Sequence, residues 1–309
     1  MRLNRILGAP AVGMLLTLGV ASQSPYFQAS AHDAQTARTV DVAVGPQYDT
    51  THVYVAAQDF DRFVASVIAT FGGTTAQEGV ATVTPTPSST RMQLVLTPVG
   101  MLSVFGFKTP IPYPFGLERT GYLVTDLDEA IRAVKATGAD VLVAPFNDPI
   151  GRDAIIQWPG GVNTQLYWHT TSPSYPMLQT VPENRVYVSS DRVGAFVRSF
   201  LDFSRGRVLS DEVRAPGVEI GRPGETYRRI RIESKFGKLT ALATDGHLPY
   251  PYGREIMGYE VTNLADILTK AKAAGVDVLV PPYKTDEREA VVVQFPGGYI
   301  AEIHSTAQR

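Results

Sequence analysis

The 309-residue chain reads as an α+β protein assembled from four βαβββ units. Three observations predict this. The second half of the chain repeats the first, and each half runs twice through the order strand, helix, three strands. The composition, 44% hydrophobic and 19% charged, is that of a chain able to bury a core. At about 150 residues per domain the length accommodates two such halves.

The repeat is carried by segments a constant 137 residues apart. Pro112-Tyr113-Pro114-Phe115-Gly116 returns as Pro249-Tyr250-Pro251-Tyr252-Gly253, and Gly121-Tyr122-Leu123-Val124-Thr125 as Gly258-Tyr259-Glu260-Val261-Thr262. The same offset joins Gly138-Ala139-Asp140-Val141 to Gly275-Val276-Asp277-Val278, and Gln157-Trp158-Pro159-Gly160-Gly161 to Gln294-Phe295-Pro296-Gly297-Gly298. Two homologous halves follow, residues 50–171 and 183–306, joined by a Pro/Ser/Thr-rich linker over 172–182.

In the first unit a β-rich run at His52 to Val55 leads into Phe60, Phe63, Val64, Val67, Ile68 and Phe71. That i, i+3, i+4 stripe predicts an amphipathic helix, stopped by Gly72-Gly73. Three strand-like runs follow near Val80–Thr84, Met92–Leu96 and Leu102–Phe107, separated by Pro, Ser and Gly. The second unit repeats the order with a strand at Tyr122, a helix bearing Leu127, Ala130, Ile131 and Val134, a stop at Gly138, and strands near Val141, Ile155 and Leu166. The third and fourth units begin near Arg185 and Gly258. The aromatic stripes, such as Phe196, Val197 and Phe200, read as core packing.

Arg2 and Arg5 ahead of the apolar run Ile6–Ala21, followed by a polar stretch and Ala29-Ser30-Ala31, have the layout of a secretory signal. Residues 1–31 are therefore expected to be a signal peptide, 32–49 a flexible N-terminal segment, and the mature protein to be exported, in a bacterium to the periplasm. A formal charge of −2 provides no cationic field for nucleic acid, and nothing downstream is apolar enough for a transmembrane helix. With no cysteine, any metal must be held by His, Asp or Glu. No phosphate loop, Gly-x-Ser-x-Gly elbow or His-Glu-x-x-His helix is present.

Four tandem βαβββ units, two closing with Pro-Gly-Gly-x-x-x-Glu/Gln (Pro296 to Glu302, Pro159 to Gln165), resemble the vicinal oxygen chelate (VOC) superfamily, the glyoxalase, bleomycin-resistance and extradiol-dioxygenase group. The resemblance covers nearly the whole mature chain. It implies that two units pair into a cupped, half-open barrel sheet, giving two modules. It further implies that a divalent metal in the cup, Fe, Mn, Zn or Ni, is held by residues of the first strands and of the closing motif.

On that expectation the metal candidates are His52, Gln165, His169, Glu302 and His304. Strand alternation puts Glu302 with His304, and Gln165 with Tyr167 and His169, on one face. Glu302 and Glu118 are the candidate proton-transfer carboxylates. Arg185 holds the place in the second half that His52 holds in the first and is a candidate substrate contact. A guanidinium cannot ligate, and beside Glu302 it would take the carboxylate as a charge-assisted pair in the metal's stead. Tyr113 and Tyr250 are candidate aromatic walls, Tyr167 a substrate contact, and His247 a loop residue able to reach the mouth of the cup. Arg229 and Arg231 share a strand face and read as a salted outer surface. Two functions follow. One is an exported glyoxalase- or dioxygenase-like metalloenzyme, a lyase, isomerase or ring-cleaving enzyme acting on a small oxygenated substrate as a monomer or homodimer. The other is a metal-free protein that sequesters a small molecule. Incomplete ligand sets and Arg185 favour the second.

Overall fold

The computed structural model describes residues 41–43, 47–117, 120–285 and 287–306. The expected signal peptide and Glu118 lie outside the described residues. The first unit comprises β1 (Thr51–Tyr54), α1 (Phe60–Phe71), β2 (Thr74–Thr75), β3 (Gly79–Ala81), β4 (Thr90–Thr97) and β5 (Gly100–Phe107). The second comprises β6 (Gly121–Leu123), α2 (Leu127–Ala136), β7 (Asp140–Asn147), β8 (Gly151–Gln157) and β9 (Asn163–His169). The third holds β10 (Glu183–Ser189), α3 (Val193–Ser204), β11 (Arg207–Pro216), β12 (Thr226–Ser234) and β13 (Gly237–Thr244). The fourth holds β14 (Ile256–Glu260), α4 (Leu264–Ala273), β15 (Asp277–Lys284), β16 (Arg288–Gln294) and β17 (Ile300–Thr306).

In every unit the first strand runs parallel to the last, β1 to β5, β6 to β9, β10 to β13 and β14 to β17. The helix between them supplies the crossover that a parallel pair requires. In the second half the two units share one eight-stranded sheet, β11-β12-β13-β10-β14-β17-β16-β15. The first half has the same order in two pieces, a five-stranded and a four-stranded sheet, which meet where Thr51 bridges Thr120 and the Gly121 amide donates to the Thr50 carbonyl at 3.0 Å.

Helix boundaries follow local chemistry, and the repeat reproduces them. Asp126 caps α2 by accepting from the Glu129 amide at 2.8 Å, and Asn263 caps α4 by accepting from the Asp266 amide at 3.1 Å. Gly138 (φ 82°) and Gly275 (φ 78°) end the same helices in a left-handed conformation that a Cβ disfavours.

The two halves are held together through their helices. One core joins α2 of the second unit to α3 of the third, with Trp158 edge-on to Phe200 at 5.6 Å and Tyr122 against Phe236. The other joins α1 of the first unit to α4 of the fourth around Phe60, Phe63, Tyr259 and Phe295. Each of these fully buried aromatics contributes about 1.5–3 kcal/mol of burial free energy. The helix-facing residues of the strands are consumed here, which leaves the alternate residues to line the concave faces.

One stretch behaves differently from its sequence. Val42, Gln47 and Asp49, expected in a flexible segment, are buried, and Gln47 exchanges hydrogen bonds with the Leu123 backbone. The Gln47 carbonyl also accepts from the Leu178 amide at 2.8 Å, so the N-terminal segment and the linker are pinned to each other beside the first cup.

Candidate functional site

The concave face of the second half gathers Glu183 and Arg185 from β10 with Glu302 and His304 from β17, all buried. Arg288 of β16 lies between the two carboxylates, its Nη1 donating to Glu183 Oε2 at 2.7 Å and to Glu302 Oε1 at 3.0 Å. Arg185 Nη2 stands 3.2 Å from Glu302 Oε2, to which the Tyr283 hydroxyl also donates at 3.1 Å. Glu183 Oε1 accepts from Thr240, and His304 Nδ1 lies 3.2 Å from Glu302 Oε1. Burial alone would raise the Glu302 carboxyl, but Arg185, His304 and Arg288 outweigh it and hold it well below the usual range. Glu183 is drawn down to about 2, its burial outweighed by Arg288, Arg185 and His304.

A ligand atom from each of Glu183, Glu302 and His304 lies within 4.8 Å of the others, the separation a metal site requires. The donors around them oppose one. All four carboxylate oxygens already face donors, and two of those donors are guanidiniums, which stay charged and cannot ligate. Opposite Glu302 in the parallel register stands Gly258, which offers no ligand. The residues as arranged do not fit a divalent ion, because Arg288 stands where its charge would be.

Arg229 and Arg231 also turn inward, contrary to the expected outer surface. Arg229 is buried against Glu219 and Glu212, with the Tyr227 hydroxyl donating to Glu219 at 2.5 Å, and Arg231 pairs with Glu287. The strand parity read as outward is the parity of the cup. One end of this cup opens into a cavity of about 480 Å³ whose lining carries charges of both signs, among them Glu183, Arg231, Lys238, Glu260 and Arg288.

The first cup is built differently. His52, Gln165, Tyr167 and His169 line it as expected from strand alternation, with Phe105 edge-on to the His52 ring at 5.7 Å. His52 is buried and its Nε2 lies 3.9 Å from Asp49 Oδ2. Burial pushes its pKa down, against the pull of Asp49 and Gln165, so the imidazole is neutral at pH 7. Asp49 roofs the site. Its carboxylate accepts from Ser103 and, at 3.4 Å, from Tyr175, while its carbonyl accepts from the Tyr167 hydroxyl at 2.6 Å. Asp148 and Asp153 complete the lining. The cavity is about 90 Å³. Gly121, in register with Gln165, packs so closely that a Cβ there would sit 2.7 Å from the His52 ring. This position therefore supplies no third ligand, as Gly258 supplies none in the second cup.

The structure thus unites His52, Gln165, Tyr167 and His169 in one cup and Arg185, Glu302 and His304 in the other. It does not bring the loop residues in. Tyr113 and Tyr250 are 74% and 61% exposed, and it is the aromatic two residues on, Phe115 or Tyr252, that turns inward. His247 is exposed, in a loop where its carbonyl accepts from Arg222. Arg185, expected to contact substrate, is 3% exposed and committed to Glu302. Sequence reasoning missed Glu183 and Arg288, although Glu183 shares Arg185's strand face two residues earlier. It also missed Asp49, for which no periodicity speaks.

No protein-family model matches the chain, and no curated protein does. Solved structures do match. A mutant of 4-hydroxymandelate synthase from Streptomyces coelicolor aligns with a TM-score of 0.56 at 13% identity, over 84% of this chain and 93% of its own. The 2,3-dioxygenase LapB from Pseudomonas sp. KL28 aligns at 0.51 and 9% identity over 86% and 94%. The 2,2',3-trihydroxybiphenyl 1,2-dioxygenase from Sphingomonas wittichii RW1 aligns at 0.51 and 12% identity over 84% and 90%. With the strand order and the paired cups, these likenesses define the fold as that of the vicinal oxygen chelate superfamily in its tandem two-module form.

Proposed function

We propose that the chain is a small-molecule-binding protein of the VOC fold that works without a metal, with the first cup as its binding site and the second as a structural module. The carrying observation is the occupation of the Glu183 and Glu302 carboxylates by Arg185 and Arg288. Divalent ions need several uncompensated donor atoms that converge; among the described residues such a group occurs only at Glu183, Glu302 and His304, and there two negative charges already face two positive ones. The first cup supports the binding role by retaining a cavity in which aromatic rings stand beside polar groups, among them Asp49, His52, Asp148 and Gln165. The layout of residues 1–31 supports export of the protein, and N-terminal sequencing of the secreted form tests that part.

Elemental analysis of protein purified from a metal-replete host is the test. Less than about a tenth of an equivalent of Fe, Mn, Zn, Ni or Cu per chain is expected, and half an equivalent or more refutes the reading. A second reading, a dioxygenase-type metalloenzyme, is favoured by the 4.8 Å grouping of Glu183, Glu302 and His304. It requires Arg288 to leave both carboxylates on metal binding. The native protein would then carry metal, whereas the metal-free reading expects metal in this cup only once Arg288 is removed, as in Arg288→Met.

A further inference from the structure

The first cup is furnished with acceptors and lacks cations. Its lining includes Asp49, Asp148 and Asp153 and no lysine or arginine, in contrast to the second cup, where every carboxylate of the central cluster faces a guanidinium. The donors that reach Asp49 are the neutral hydroxyls of Ser103 and Tyr175, and those that reach Asp148 include the backbone amides of Ile150 and Gly151. Neutral donors orient a carboxylate and leave its charge uncompensated. Asp148 shows the consequence, since its burial, with the nearby Asp49, raises its carboxyl above the ordinary value against the pull of the Ile150 and Gly151 amides and of His169.

A second, independent feature points the same way. His52 is 3% exposed and lines this cavity, and its Nδ1 is buried with no hydrogen-bond partner among the described residues. Nε2 is the ring nitrogen nearer Asp49, at 3.9 Å, and in a neutral ring with its proton on that side Nδ1 is an acceptor in want of a donor. Around the acceptors stand the rings of Phe105, Phe115 and Tyr167, whose faces attract a cation.

We propose that the first cup binds an organic ammonium ion, a primary amine carried on a small aromatic or alkyl group. Its N–H groups reach His52 Nδ1 and the Asp148 carboxylate, Asp49 adds its charge from the Nε2 side of the ring, and the carbon body lies against the aromatic wall. An acid or a neutral alcohol fits less well. An anion meets the Asp49 and Asp148 carboxylates, and a hydroxyl brings one donor and no charge. The assignment rests on the metal-free reading, which in this cup is supported by the lack, among the described residues, of three His or carboxylate ligand atoms within 4.8 Å of one another, and the test keeps the two apart.

Benzylammonium, benzyl alcohol and phenylacetate are titrated into the full chain in EDTA-containing buffer at pH 7, followed by calorimetry and by His52 imidazole chemical shifts. Benzylammonium is expected to bind at least ten-fold more tightly than the alcohol, with phenylacetate not binding. Asp148→Asn, which keeps the backbone hydrogen bonds, is expected to weaken benzylammonium at least ten-fold and to leave the alcohol unchanged. Asp49→Asn serves as the second variant, with thermal melts confirming the fold of both. Equal affinity for amine and alcohol, preference for phenylacetate, or no His52 response to any of the three overturns the ammonium assignment. Metal content alone decides the metal-free reading, so the failure of one is not mistaken for failure of the other.

Discussion

Replacing Arg185 by Met tests whether the second cup is a charge-balanced structural core. In the native cluster Glu183 and Glu302 face Arg185 and Arg288, all four buried or nearly so. Arg185→Met leaves two buried carboxylates sharing one guanidinium. Breaking a buried pair by removing one partner costs about 3–5 kcal/mol, and the lower end applies because Arg288 still holds Glu302 at 3.0 Å. A loss of about 3 kcal/mol corresponds to roughly 6–12 °C in melting temperature for a chain of this class. Glu302→Gln is destabilising for the opposite reason, since it leaves two guanidiniums sharing Glu183. The double variant restores balance between Glu183 and Arg288 and should cost about 1–2 kcal/mol, less than either single change plus the other. Urea unfolding followed by circular dichroism at pH 7 measures all three. Additivity of the single changes to within about 0.5 kcal/mol would refute the argument, because it would mean that these charges do not sense each other across a low-dielectric interior.

The same cluster predicts an acid limb of stability. Glu183, held at about 2 against an ordinary 4.5, contributes stability that is fully present above pH 4.5 and lost as the pH falls toward 2, so Glu183→Gln should flatten the urea midpoint over that window. His52, lowered by burial from 6.5, should titrate below 6.5 by NMR and contribute stability lost as the pH falls below 6.5; a ring that titrates at or above 6.5 in the folded protein contradicts the buried first cup. Gly121→Ala should destabilise by about 1–3 kcal/mol, since its Cβ would meet the His52 ring at 2.7 Å, whereas Gly258→Ala, with contacts no closer than 3.3 Å, should cost less; equal melting temperatures for the two variants would refute the assigned packing.

The fold was legible because the determinants are local and repeated. The 3.6-residue stripes, the caps at Asp126 and Asn263 and the stops at Gly138 and Gly275 recur at one offset, and the alternation that puts Glu302 with His304 needs nothing beyond the pleat. The same parity, applied to β10, would have placed Glu183 with Arg185. It misled for Arg229 and Arg231, because alternation states that two residues share a face and leaves open which face is the concave one.

What the strands do to one another was beyond the reach of sequence. Arg288 reaches Glu183 across 105 positions, and Asp49 is hydrogen-bonded to Tyr167 across 118. Such encounters depend on how far the sheet curls and on where the chain before β1 is tied down, neither of which has a local signature. The repeat specified two cups of one architecture. Only the tertiary structure decided that one is filled by arginine–carboxylate pairs while the other keeps an acceptor-lined cavity, because a buried charge takes its meaning from the partner that folding brings within hydrogen-bonding distance.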